Sequence, residues 1–239
     1  MILKSSKESE HKRLLEKKVW LFDFDGVIVP SPTKKDHELF ISNVIRLISD
    51  FKNISIEDGT ELYKSLQRKE NKTNLHEFLV KNFPDIEEDV IFSRVFGEYN
   101  EKYKKMKPYS GITNGLKILS RSNITLGILT NNSGEIVREI IKRFEYHRYF
   151  SGIIANEELY PFLKPEESSY KIATKSFGVI PEETVFIDDS EENVKASKKL
   201  GILSIHITDK TTTADSEVAD FTFKSTRKFL NTIVKEIAR

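Results

Sequence analysis

The chain has 239 residues, with 38 Lys plus Arg against 37 Asp plus Glu and a net charge of +1. That balance gives no global electrostatic ground for a nucleic-acid or anionic-membrane partner, while 38% hydrophobic residues, 16 of the 239 being Phe, supply a sizeable core and exclude general disorder. Cys is absent, which excludes disulfides, a thiolate nucleophile and Cys-ligated metal sites.

Residues 1–18 are mostly charged, with a weak helical pattern at Leu14 and Leu15, and read as an N-terminal extension. They lack the apolar stretch of a signal peptide, and no apolar run approaches the ~18 residues of a membrane span. A soluble, cytoplasmic protein is expected. Val19-Trp20-Leu21-Phe22 is a short continuous apolar run, as in a strand buried on both faces. Trp20 within it is expected in the core.

From about Thr33 to Lys107 the pattern turns helical. Phe40, Val44, Leu47, Ile48 and Phe51 share one period, and Phe92, Val95, Phe96, Tyr99, Tyr103 and Met106 another. Such amphipathic helices need one another to bury their stripes. Pro30, Pro32 and Pro108 bound the interval, so residues 33–107 are expected to form an inserted helical domain. Residues 19–32 and 108–239 would then form one core domain. In it, apolar runs at Ile124–Leu129, Gly152–Ala155, Thr184–Ile187, Ile202–Ile207 and Phe221–Phe223 alternate with helical stretches. Ser133 is placed to cap one helix and Pro165 to open another, with Gly178 and Gly201 at helix ends. The alternation predicts an α/β fold with a Rossmann-like parallel sheet, whose ligands bind beyond the carboxyl ends of the strands.

Those ends carry the chemistry. Asp23-Phe24-Asp25-Gly26 follows the first strand, and side chains two apart on extended chain point the same way. One carboxylate can attack while the other handles a proton. A calcium loop opened at Asp23 would need an acid at its twelfth position, where Lys34 stands, and a helix in place of the entering strand. Thr130-Asn131 ends the second strand ahead of Asn132-Ser133-Gly134 and a helix, an arrangement able to hold an anion. Lys164, before Pro165, can neutralise a phosphoryl oxygen. Asp188-Asp189, with Asn193 following, supplies paired carboxylates that call for a cation, and oxygen ligands suit Mg²⁺.

In order and spacing these segments resemble the haloacid dehalogenase superfamily of phosphohydrolases. Asp23-Phe24-Asp25-Gly26-Val27 matches its first motif, Thr130 its second, Lys164 its third, and Asp188-Asp189 with Asn193 its fourth. The resemblance spans roughly residues 19–225. Two positions depart from the common pattern: Pro30, where many relatives carry an acid, and Asp188, where Gly is frequent.

The resemblance implies that Asp23 becomes an aspartyl phosphate and also binds Mg²⁺. It makes Asp25 the general acid/base, with its carbonyl a further metal ligand. Thr130, Asn131 and Lys164 would hold the phosphoryl group, and Asp188 and Asp189 the metal. Asp25 favours phosphoryl over halide chemistry, because a halide leaves without a proton. The insertion resembles the family's helical C1 cap, as in phosphoglycolate-phosphatase-like and β-phosphoglucomutase-like members. A phosphatase acting on a small phosphorylated metabolite is therefore expected. A phosphomutase and a non-catalytic phosphate-binding protein are the alternatives. A signalling receiver would place its acidic pair on the first strand and its phosphoacceptor on the third, the reverse of the order here. Lys64, Arg68 and Lys72 form a possible basic stripe and His37 a possible substrate contact, although solvated helix and turn positions explain all four.

Overall fold

The computed structural model describes residues 11–69, 75–209 and 217–238. Among them no helix is long and apolar enough to cross a membrane. The chain divides into two compact units, one comprising Met1–Ser31 with Met106–Arg239 and the other Pro32–Lys105.

The larger unit is built on six strands: β1 (Val19–Phe22), β2 (Thr125–Leu129), β3 (Gly152–Ile154), β4 (Thr184–Asp188), β5 (Leu203–Ile207) and β6 (Phe221–Phe223). All neighbours pair in parallel, in the order β3-β2-β1-β4-β5-β6. Every residue of β1, β4 and β5 is buried, which is why these runs are continuously apolar and do not alternate. Trp20 lies wholly in the core and stacks on Phe229 at 5.6 Å between ring centroids. The chain leaves β1 for β2 on one side and reaches β4 on the other, so the order reverses between β1 and β4. In open α/β sheets a crevice forms outside the carboxyl ends at that reversal.

The described part of the N-terminal extension packs on this unit. Residues 11–15 are helical, Leu14 is fully buried, and the His11 ring lies 5.5 Å from that of Phe221 on edge strand β6. Lys18 pairs with Glu183. Residues 1–10 of the extension lie outside the described residues.

The smaller unit is helical, with helices Lys34–Lys52, Ile56–Lys69, Leu75–Asn82, Glu88–Ile91 and Gly97–Lys104. A capping box starts the first: Thr33 accepts from the Asp36 N–H and Asp36 from the Thr33 N–H. Asp36 is buried and also takes the Lys102 ammonium. These bonds, first from Lys102 and then from Thr33, lower its carboxyl pKa to about 2. Val44, Leu47 and Ile48 bury their stripe against Phe78, Leu79, Phe83, Ile91 and Val95. Phe51, the last member of the stripe, is 38% exposed and meets Phe83 edge-on. The second expected stripe begins as a π-helical turn, Phe92–Phe96, before the helix Gly97–Lys104. His37, Lys64 and Arg68 are exposed in this unit, and Lys72 lies outside the described residues.

Candidate active site

The apolar β1 carries the chain into the crevice, and Asp23 is the first residue beyond it. Its N–H still donates to Ile187 O on β4, at 2.8 Å, so the sheet ladder itself fixes where the carboxylate begins. The chain then turns sharply: Gly26 adopts φ +73° and its N–H returns to Val29 O at 2.7 Å. A methyl group at Gly26 would lie 1.9 Å from Asp189 Oδ2, so only glycine lets the turn pass this close to the acid.

From β4, the buried Asp188 faces Lys164. The Lys164 Nζ lies 2.8 Å from Asp23 Oδ1 and 2.8 Å from Asp188 Oδ2, with all three residues buried. The Phe186 ring, 5.2 Å from Nζ, closes a further side. Asp188 also accepts from Asn193 Nδ2 at 3.0 Å and from the Ser190 N–H at 2.7 Å. Asp189 takes the Ser31 hydroxyl at 2.9 Å, and its carbonyl oxygen lies 3.1 Å from His206 Nε2.

The loop after β2 serves this arrangement through its side chains. Asn131 Oδ1 accepts from the Lys164 N–H and Asn131 Nδ2 donates to Lys164 O, both at 2.9 Å. Its amide thus fixes the lysine backbone. Thr130, buried, accepts from the Asn132 N–H at 3.1 Å. Asn132 Nδ2 in turn donates to Asp25 Oδ2 at 3.1 Å, while Asp25 Oδ1 is buried without a hydrogen-bond partner. Asp23, Lys164 and Asp188 are therefore in direct contact, with Asp189 beside them. Asn131 and Asn132 tie Lys164 and Asp25 to the β2 loop.

Sequence reasoning missed three roles here. Asn132 as the partner of Asp25 and Asn131 as the brace of Lys164 join residues far apart in the chain. Glu157 corrects the expectation for the helix that follows the second strand. Ser133 stands at the N-cap of Gly134–Arg143, but its side chain makes no cap bond. The Glu157 carboxylate accepts from the Gly134 N–H at 2.9 Å and from the Ser133 hydroxyl at 3.1 Å. An acid of the chain itself thus occupies part of the helix terminus expected to hold an anion. Pro165 also differs from expectation, standing two residues before the helix Glu167–Ser176, whose N-cap is Glu166.

Burial sets the electrostatics. Desolvation first, and then the charge of Asp188, raise the Asp23 pKa well above the usual carboxylate range, against the pull of Lys164. Desolvation likewise lifts Asp25 to about 6, with Asn132 and Lys164 opposing. It raises Asp189 too, with Asp188 adding to it. Burial on its own would lower Lys164, but the Asp188 and Asp23 carboxylates override it and hold the ammonium firmly protonated. Carboxylate oxygens of Asp23, Asp188 and Asp189 all lie within 4.8 Å of one another. One ammonium cannot balance them and Asp25. The donors are hard oxygens without Cys or His, the orphaned Asp25 Oδ1 lies alongside, and the set fits a divalent cation of the Mg²⁺ type.

The family profile described as haloacid dehalogenase-like hydrolase matches residues 20–207. A glyceraldehyde 3-phosphate phosphatase of Methanopyrus kandleri is 26% identical over 93% of this chain and 99% of its own. A phosphoglycolate phosphatase of Pseudomonas aeruginosa is 29% identical over 44% of this chain and 38% of its own, so the latter match spans well under half of that relative. The crystal structure of a HAD phosphatase from Thermococcus onnurineus superposes with a TM-score of 0.65 at 23% identity, covering 90% of this chain and 97% of its own. At that identity the likeness shows the fold alone.

Proposed function

The chain belongs to the haloacid dehalogenase-like hydrolases, and from that premise we propose that it is a Mg²⁺-dependent phosphatase of small phosphomonoesters working through an aspartyl phosphate. The observation that carries the reading is Lys164 clamped at 2.8 Å between Asp23 and Asp188, with Asp189 completing the carboxylate group. Phosphoryl transfer needs little from a protein beyond positioning and the neutralisation of charge on the equatorial oxygens. A divalent cation held by Asp23, Asp188 and Asp189 would supply that neutralisation.

In this reading an Asp23 carboxylate oxygen attacks phosphorus and the bond to the ester oxygen breaks. Lys164, with Thr130 and the Asn131 backbone N–H, receives the phosphoryl oxygens. Asp25 gives its proton to the departing alkoxide. A carboxyl with a pKa of about 6 keeps a usable protonated fraction near neutrality and is still a competent base afterwards. Asp25 then takes a proton from water, whose oxygen attacks the aspartyl phosphate, and free phosphate leaves with Asp23 restored. Asn132, bonded to Asp25, sets the direction of that carboxyl. The smaller helical unit is assigned as the family's inserted cap domain. The compounds named for the two relatives, glyceraldehyde 3-phosphate and phosphoglycolate, are short-chain phosphomonoesters and define where a substrate panel should start.

The test is phosphate release from para-nitrophenyl phosphate and such a panel, with Mg²⁺ or with EDTA, using Asp23→Asn as control. Release is expected only with both metal and Asp23. The variant changes charge without changing size, so its fold is checked by circular dichroism. Turnover retained in a folded Asp23→Asn protein would refute the covalent mechanism.

A further inference from the structure

The larger unit contains a concavity, about 670 Å³ in volume, on the β5 and β6 side of the carboxylate cluster. Gly26 and Asp189 contribute to its wall, so it adjoins the cluster, whereas Asp23, Asp25 and Lys164 do not line it. Its lining also includes Lys224 and Arg227, at the start of the helix Thr226–Ile237, together with Tyr109 and Ser110.

The charges in this wall are unequally committed. Asp189 takes the Ser31 hydroxyl and belongs to the carboxylate cluster, and Glu191 is held by Lys195 at 2.6 Å. Asp209 is the remaining acid. Against it stand two cations, since among the described residues neither Lys224 nor Arg227 forms an ion pair or side-chain hydrogen bond. With Asp189 assigned to the carboxylate cluster and its proposed cation, the uncommitted charge of the remaining wall is positive. Arg227 is also placed with some care. Gly111, at φ +80°, lies against its stem, and a Cβ at that glycine would come within 2.6 Å of Arg227 Cδ. The missing side chain makes a berth for the arginine stem. A guanidinium whose stem is already seated loses less freedom when it captures a ligand.

We propose that this cavity is an anion subsite, in which Arg227 and Lys224 bind an acidic group, carboxylate or phosphate. That group is either the far end of the phosphomonoester itself or a separate free anion. The first source rests on the phosphatase reading, and the second does not. Planar, forked donation from Arg227 suits a carboxylate or phosphate edge, Lys224 adds a point charge, and the Tyr109 and Ser110 hydroxyls are available as neutral donors. Taken as part of the substrate, the group marks the preferred ester as one with an acid at the end of its alcohol chain.

Two arms test this on the full chain. The first compares ω-carboxyalkyl phosphates with ω-hydroxyalkyl phosphates of equal length in the unaltered protein, Arg227→Ala, Arg227→Lys and Lys224→Ala. The unaltered protein should favour the carboxylates in KM at one chain length. Arg227→Ala should reduce that preference about tenfold or more, the loss expected for a charge-assisted hydrogen bond. Arg227→Lys should fall between the two. The second arm measures the rise of Tm with malonate in the metal-free protein, and the Lys224→Ala/Arg227→Ala double variant should abolish it.

A carboxylate preference that depends on Arg227 assigns the site to the substrate. A malonate shift that depends on the two cations, without such a preference, assigns it to a free anion. Absence of both overturns the proposal. Should no ester be hydrolysed while the cation-dependent malonate shift persists, the phosphatase reading fails and the subsite stands.

Discussion

Without divalent cations the protein should become more stable on mild acidification. Asp25 carries the argument, because burial raises its pKa from an ordinary 3.8 to about 6 in the folded chain. A carboxyl whose folded pKa exceeds its unfolded value holds its proton more tightly when folded. Its contribution to stability is therefore full below the unfolded pKa and is lost as pH rises through about 6. Between about pH 7.5 and about pH 5 the folded state takes up roughly nine-tenths of a proton at this site, and the unfolded state almost none. At about 1.36 kcal/mol per pKa unit, the difference is about 1.4 kcal/mol in favour of the lower pH. For a chain of this size that is about 3–5 °C in Tm. Asp23, also raised by burial and by Asp188, acts in the same direction. The assay is calorimetry in EDTA at the two pH values, with Asp25→Asn as reference so that His and other titrations cancel. The unaltered protein should gain on the reference as pH falls, and saturating Mg²⁺ should suppress the gain by favouring the ionised carboxylates. Equal pH slopes in the two proteins would refute the burial argument. A slope insensitive to Mg²⁺ would refute the cation site.

Three further outcomes follow from the geometry. Lys164→Met leaves Asp23 and Asp188 buried without their shared ammonium, and the metal-free variant should lose about 3–5 kcal/mol in urea unfolding. Gly26→Ala forces a methyl group against Asp189 Oδ2 at a φ that disfavours side chains. Backbone strain of about 1–3 kcal/mol and a loss of Mg²⁺ affinity, read by isothermal titration calorimetry, are expected together. Glu157→Ala strips the acceptor from the Gly134 N–H and should cost about 1 kcal/mol of stability, the ordinary worth of a helix N-terminal acceptor.

The sheet was legible because its central strands are buried on both faces, and that burial writes itself as unbroken apolar runs such as Val19–Phe22 and Thr184–Ile187. Asp23, Asp25, Asp188 and Asp189 were legible as candidates because each directly follows such a run, where a charged residue is conspicuous. The partners of these acids were not legible. Asn132 reaches Asp25 across 107 positions and Asn131 reaches Lys164 across 33, and local periodicity carries no record of such pairings. Ser133 reads as a cap because Ser is a frequent cap residue, while the carboxylate that accepts from the Gly134 N–H, Glu157, comes from the far side of β3. In the helical unit, periodicity located the stripe of Val44, Leu47 and Ile48. It could not show that the second stripe opens with a π turn, since a single inserted residue leaves the apolar pattern almost unchanged.

The raised carboxyls also connect stability to chemistry. Asp23, Asp25, Asp188 and Asp189 face one compensating ammonium, and burial, the leading cause, biases Asp23, Asp25 and Asp189 toward their protonated forms. A protonated Asp23 is a poor nucleophile. In the proposed mechanism the burial that favours the protonated form of Asp23 therefore disfavours its attack on phosphorus, and a divalent cation held by Asp23, Asp188 and Asp189 would reverse that bias. Asp25 is offset from that exchange: it is bonded to Asn132 and has one oxygen without a partner among the described residues, so in the proposed mechanism it would keep a proton for the leaving group while Asp23 gives its own up. Two acids separated by a single residue on one strand end would thus acquire the different duties proposed for them from their neighbours, Lys164 and Asp188 for the first and Asn132 for the second.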